Sequence, residues 1–237
     1  IGYEVIIKAL MDNAINDFCV PVVYGSPKVA AYHRKALNIT NFSFNNIKSP
    51  EEANHKRANM INCLDDDVRV ELGKSTHQGG ESAFISLEKA VEDLKNGAIH
   101  VLMTGPIDKN NIQSERFNFS GHTEYLKSKS NADEALMFMI SENMKIGFVT
   151  GHVPLKKVSE MLSIDSVANK IRMMNNSLIV DFGIRKPQIA VLGLSPHAGD
   201  NSLLGTEEAQ IIYPAMRQPR EMCIMTFGPY AADGFFG

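Results

Sequence analysis

A chain of 237 residues, 44% apolar and 22% charged, has the composition of a folded, soluble protein and can bury a sizeable core as one large domain or two lobes. Its formal charge of −3 and pI near 6.2 argue against nucleic acid or anionic lipid as a partner, whose binders carry a basic stripe, so an anionic ligand must be held by local groups. Cys19, Cys63 and Cys223 fit neither a disulfide framework nor a zinc knuckle, and no apolar run reaches the roughly 20 residues that cross a bilayer.

In chain order, Ile1-Gly2-Tyr3 begins without methionine, and the first end, like the last at Phe235-Phe236-Gly237, reads as cut. Val5, Ile6, Ala9, Leu10 and Ala14 predict a helix from Tyr3 to about Asn16, and Pro21-Val22-Val23-Tyr24-Gly25 a short buried strand. Ser49-Pro50-Glu51-Glu52 is a helix-start signal. Phe84, Leu87, Val91 and Leu94 mark an amphipathic helix from about Glu81 to Asn96, stopped by Gly97.

Ile99-His100-Val101-Leu102-Met103 then predicts a buried strand delivering the loop Thr104-Gly105-Pro106. The pattern recurs: Lys145 to Val149 ends at Thr150-Gly151-His152, and Gln188 to Leu194 ends at Ser195-Pro196-His197. Between them Ile164, Val167, Ile171, Met174 and Leu178 mark a long helix, while Leu136 to Ile140 reads as core packing. Apolar strands alternating with helices predict an α/β architecture with a largely parallel sheet, whose ligands gather at the carboxyl ends of the strands.

Those strand ends carry the chemistry. An imidazole at the mouth of a parallel sheet can bind a divalent metal, and His152 and His197 on neighbouring strands can share one ion. Each also reads, by itself, as a hydrogen-bonded loop residue, and two histidines leave a third ligand to be found. His33, His55, His77 and His100 stand in contexts without comparable signals. Gly121-His122-Thr123-Glu124-Tyr125-Leu126 opens a helix whose N–H groups, with His122 and the Thr123 hydroxyl, can receive a phosphate; an ordinary cap is the alternative.

Lys109, after a Gly-Pro turn, can hold an anion or move a proton, or be a surface lysine. Asp233 can orient a substrate or a metal-bound group, or mark a turn. Glu207 and Glu208 begin a helix, where negative charge suits the dipole, and read as structural. No Rossmann glycine fingerprint, Walker loop, nucleophile elbow or Cys-x-x-Cys is present.

Taken together, Thr104-Gly105-Pro106-Ile107-Asp108-Lys109, Gly121-His122-Thr123-Glu124, His152-Val153-Pro154-Leu155-Lys156, the run from Leu192 to Gly205, and Gly228-Pro229-Tyr230 through Asp233 resemble the 4-hydroxythreonine-4-phosphate dehydrogenase family of pyridoxal phosphate biosynthesis. The resemblance is collinear from Ile1-Gly2-Tyr3-Glu4 to the last residue. It implies a two-lobed α/β fold similar to isocitrate and isopropylmalate dehydrogenases, so that residues 1–237 form one incomplete two-lobed unit with interwoven lobes. It further implies a cytoplasmic homodimer whose active site lies between lobes and is completed by the partner subunit.

By the same resemblance His152 and His197 are metal ligands for zinc, magnesium or cobalt, His122 and Thr123 contact the phosphate end of the substrate, Asp233 lies near the reacting hydroxyl, and Lys109 lies in the substrate's neighbourhood. The resemblance also implies NAD, or alternatively NADP, as cofactor, with no contact residue assigned in this chain. The third metal histidine is expected in a Tyr-His-Asp-Gln-like segment downstream of Gly237. Ser195, Asp200 and Gly151 depart from the asparagine, glutamate and threonine common in the family, which bears on the substrate rather than on a ligand.

The implied reaction is oxidation of 4-phosphohydroxy-L-threonine at its secondary hydroxyl, then loss of carbon dioxide to give an amino-ketone phosphate. Three other readings stay open: a dehydrogenase of phosphorylated threonate or erythronate with the same chemistry, a non-catalytic binding protein for small phosphorylated ligands, and an acyl- or phosphotransferase of similar architecture.

Overall fold

The computed structural model describes residues 1–65, 67–199 and 202–236, and the chain divides into two compact units, Ile1–Glu134 and Ala135–Gly237. Both are α/β, and most strand pairs are parallel.

The first unit opens on α1 (Gly2–Leu10). The helix expected to reach Asn16 stops early because the Asp12 carboxylate accepts the Ala14 N–H at 2.9 Å and starts a separate 3-10 turn, Asn13–Asp17; a short acidic side chain offers the backbone a competing partner. Ile7 rather than Val5 is its buried residue. Then come β1 (Val22–Gly25), α2 (Pro27–Ala36) capped by Ser26, β2 (Asn45–Ile47) and β3 (Asn59–Asn62). They form a parallel sheet in the order β1-β3-β2. Ser49-Pro50 starts only a single 3-10 turn, Pro50–Glu52, and Ser49 caps nothing with its side chain.

Next, α3 (His77–Lys95) begins earlier than the apolar stripe suggests, because Thr76 caps it through the Gly79 N–H. Phe84, Leu87 and Val91 are buried on it as expected, and pack with Ile112, Phe117 and Tyr125 into the core of this unit. The last helix, α4 (His122–Lys129), follows Gly121.

The segment 99–103 is not a strand. Leu102 packs against the aromatic core, but Val101 and Met103 are 78% and 93% exposed. Among the described residues no strand pairs with it. A continuous apolar run looks the same in sequence whether one of its faces is covered or both.

In the second unit the run after Lys145 is not a parallel strand either. β4 (Phe138–Ile140) and β5 (Lys145–Gly147) are antiparallel, closed by the Ser141 N–H on the Met144 carbonyl at 2.8 Å. Met139 and Ile140, read as core, are exposed. The long helix α5 (Ile164–Val180) starts in a Ser163/Ser166 capping box and buries Val167, Ala168, Ile171 and Leu178 against Ile189, Ile212, Met216 and Ile224. β6 (Gln188–Leu192) is followed by a π turn, Glu208–Ile212, and by α6 (Tyr213–Ala215) and α7 (Arg217–Glu221). β7 (Met225–Tyr230) lies parallel to β6 and leads into α8 (Ala232–Phe235). Among the described residues no helix is long and apolar enough to cross a membrane.

Candidate active site

In the first unit the structure brings Lys109, Gly121 and His122 together. Gly121 gives α4 no capping side chain, so the N–H groups of its first turn lack a side-chain acceptor. A Cβ placed on Gly121 would stand 3.9 Å from Lys109 Nζ, which puts an ammonium beside the positive end of the helix dipole. Both features favour an anion there, against the Glu124 carboxylate, whose Oε2 would stand 3.6 Å from the same Cβ. The half-buried His122 is held below its ordinary range first by burial and then by the Lys109 charge, so its imidazole is neutral near pH 7. Thr123 is exposed at the same helix end.

The loop carrying Lys109 is anchored to α3. Ser75 donates its hydroxyl to Asp108 at 2.6 Å, and the N–H groups of Asn110 and Asn111 donate to the same carboxylate at 2.9 and 3.3 Å. These bonds, Ser75 first, hold the Asp108 carboxyl below the usual range. The Asn111 amide reaches the Thr76 carbonyl at 3.0 Å. Gly80 on α3 leaves room for this approach, since a Cβ there would lie 1.9 Å from the Asn111 carbonyl oxygen. Gln113 closes the arrangement, donating to the carbonyls of Lys109 at 3.1 Å and Phe119 at 2.9 Å.

In the second unit the parallel pairing of β6 and β7 brings their carboxyl ends to one edge. Gly193 N–H bonds the Tyr230 carbonyl at 2.8 Å, and the Asp233 N–H meets the Pro196 carbonyl at 3.4 Å. Two loops distant in sequence thus meet, and His197 Nδ1 lies 2.6 Å from Asp233 Oδ2. The other carboxylate oxygen accepts the Gly234 N–H at 2.9 Å. A carboxylate on Nδ1 keeps the proton there and leaves Nε2 as an acceptor, the arrangement that orients metal-binding histidines. The His197 side chain is 63% exposed, so Nε2 is accessible.

His152, in the loop after β5, is exposed. Among the described residues no group of three His, Cys, Asp or Glu side chains gathers into a metal site. Asp200, one of the departures noted in sequence, lies outside the described residues.

The family model for pyridoxal phosphate biosynthetic protein PdxA matches residues 17–237. The chain belongs to this family. A 4-hydroxythreonine-4-phosphate dehydrogenase of Bacteroides thetaiotaomicron is 45% identical over 239 residues, covering 100% of this chain and 65% of that protein. A Clostridium botulinum protein, provisionally named a D-threonate 4-phosphate dehydrogenase, is 29% identical over 240 residues and is covered over 71% of its length. The crystal structure of 4-hydroxythreonine-4-phosphate dehydrogenase from Klebsiella pneumoniae superposes with a TM-score of 0.86 at 30% identity, covering 100% of this chain and 72% of that one. The chain thus spans roughly two thirds of the length of the relatives it matches.

Several residues that place the site in this PdxA family member escaped the sequence reading. Gln113 and Gly80 position the Lys109 loop through backbone carbonyls, and such contacts leave no motif. Glu208 read as a helix-start acid, yet it is 7% exposed and accepts the Ser195 N–H at 2.9 Å beneath the His197 loop. Its place after Gly205-Thr206 was visible, but nothing in the sequence brings it to Ser195.

Proposed function

We propose that the chain belongs to a divalent-metal- and NAD-dependent dehydrogenase that oxidises 4-phosphohydroxy-L-threonine at its secondary hydroxyl and then decarboxylates it to an amino-ketone phosphate. The observation that carries the reading is the His197–Asp233 pair at the ends of β6 and β7. Family membership and the anion-receiving end of α4 support it.

The donor chemistry fits a divalent ion: His197 presents an oriented, accessible Nε2, and His152 is a second exposed imidazole. Those two residues would hold the metal, with further donors from beyond them. When bound, the ion supplies Lewis acidity at the substrate hydroxyl. Asp233 faces His197 Nδ1 through one oxygen and so fixes the His197 tautomer, while the acceptor sites left on its half-exposed carboxylate would lie near the reacting hydroxyl.

Lys109, the first-turn N–H groups of α4, His122 and Thr123 hold the phosphate. Each hydrogen bond to that charged group contributes about 1.5–3 kcal/mol. When bound, NAD would supply the acceptor for the hydride on the carbon bearing the hydroxyl, and the hydroxyl proton would pass to a base. The resulting β-keto acid loses its carboxyl group as carbon dioxide, and the carbon left behind takes up a proton. A two-lobed fold like that of isocitrate dehydrogenase, and a homodimer sharing its active site, belong to the same proposal.

NADH formation by the protein with divalent metal tests the reading, with 4-phosphohydroxythreonine run beside phosphothreonate and phosphoerythronate. Turnover with the first, lost in His197→Ala, is expected. The Clostridium botulinum relative favours a second reading, oxidation of a phosphorylated sugar acid; turnover with phosphothreonate alone would establish it. No turnover with any of the three, and no metal binding, would sink the dehydrogenase proposal.

A further inference from the structure

Glu208 is a buried carboxylate, and a buried charge is costly unless its oxygens are satisfied. It lies at the start of a π turn, Glu208–Ile212, a wide turn that recurs at functional sites. Its Oε1 receives the Ser195 N–H at 2.9 Å. A Cβ on Gly193 would stand 3.0 Å from Oε1 and 2.9 Å from the Ala198 Cα, and one on Gly199 would stand 2.8 Å from Oε2. The loop 193–199 therefore wraps the carboxylate, and larger residues at either glycine would push it off.

That loop is held in an unfavourable shape. Ala198 and Gly199 have φ values of +50° and +76° in succession, and an alanine rarely adopts such a value unaided. Ser195 ties the turn internally, accepting the Ala198 N–H on its carbonyl at 2.9 Å and the His197 N–H on its hydroxyl at 3.3 Å. Fixing Ser195 from below therefore fixes the backbone of His197.

We propose that Glu208 is a positioning residue for His197: by holding Ser195 and packing under Gly193 and Gly199, it sets the turn in which the imidazole meets Asp233 and turns Nε2 outward. The consequence for metal binding rests on the function proposed above. The geometric claim does not.

The test is a two-bond 1H–15N correlation on protein free of metal and substrate, at a pH where imidazoles are neutral, with the His197 signal assigned by His197→Gln. The wild type shows the Nδ1–H form. Glu208→Gln, whose amide oxygen still accepts the Ser195 N–H, keeps it. In Glu208→Ala the ratio of Nδ1–H to Nε2–H falls about tenfold, the weight of roughly one hydrogen bond to a charged group.

Should the alanine variant not fold, Gly193→Ala is expected to show the same fall. A lower melting temperature with the His197 signal unchanged, in Glu208→Ala or Gly193→Ala, would reduce Glu208 to a core residue and overturn the proposal. So would loss of the Nδ1–H form in Glu208→Gln. Because the tube holds no substrate, a protein without dehydrogenase activity passes or fails this test all the same.

Discussion

The end of α4 in the first unit and the β6/β7 loops in the second solve opposite problems with different materials. The first collects positive potential from backbone N–H groups and Lys109, on a loop whose anchors to α3 reach backbone through Asn111 and Gly80. The second aims a single lone pair, and does so with one side chain against another, His197 on Asp233. An anion site tolerates a diffuse arrangement, because several donors can share the three terminal oxygens of one dianionic phosphate group. Presenting an imidazole nitrogen does not, because one rotated ring removes the acceptor.

The largest effect that would probe this contrast is in the backbone-built site. Gly80→Ala sets a methyl 1.9 Å from the Asn111 carbonyl oxygen, where a flexible side chain is not available to yield. We expect a loss of about 3 kcal/mol, the upper part of the usual overpacking range. Hydrogen exchange should show lost protection over α3 and the 104–113 loop, while β6 and β7 keep theirs. Equal loss around β6 and β7 would break the separation between the two regions.

A smaller, reciprocal effect follows from single side chains. Asp233→Asn should weaken binding of a divalent ion such as cobalt by about 10–100-fold, the usual cost of a lost partner behind a metal histidine, and leave affinity for a phosphate monoester unchanged. Lys109→Met should do the reverse, with about a tenfold or greater loss of phosphate affinity. Calorimetric titration of both variants with both ligands checks the pair. If either substitution weakened both ligands equally, the division of labour would fail.

How much of this was legible in the sequence depended on whether a feature is local. The stripe Phe84, Leu87, Val91 gave α3, and the apolar run at Gln188 gave β6, because each records its own period. The helix start at His122 and the segments bearing His197 and Asp233 after β6 and β7 were also legible, since turn residues announce a strand or helix end, whereas the Lys109 loop was expected behind a strand that does not form. The pairing of those segments was not legible. Segment 99–103 read as a strand because an apolar run cannot report whether a neighbour exists, and Lys145 to Gly147 read as parallel because the tight Ser141–Met144 turn carries neither Gly nor Pro. Glu208 was invisible for the same reason: its meaning lies in Ser195, thirteen residues away and fixed only by the folded loop.

The smallest expected effect is a proton. The fold lowers the His122 pKa below the ordinary imidazole range, through burial first and the Lys109 charge second. The neutral form is thus the one the fold favours, and the associated stability is full above the unfolded value and is lost as pH falls through the folded one. His33 shifts in the same direction through burial and the N-terminal charge, so the acid-side loss is shared, and the difference between wild type and His122→Asn isolates one of the two. A bound phosphate acts on His122 against Lys109, since its negative charge favours the imidazolium. Binding a phosphate monoester slightly above the free His122 value should therefore draw up to about one proton from solution, read as calorimetric heat that depends on the buffer's ionisation enthalpy. His122→Asn should abolish that uptake while retaining whatever comes from the ligand's own second ionisation near pH 6. Lys109→Met should reduce it, because removing the ammonium lets His122 carry more of its proton before the ligand arrives. Uptake unchanged in both variants would place the phosphate away from the end of α4 and leave the first unit without its half of the comparison.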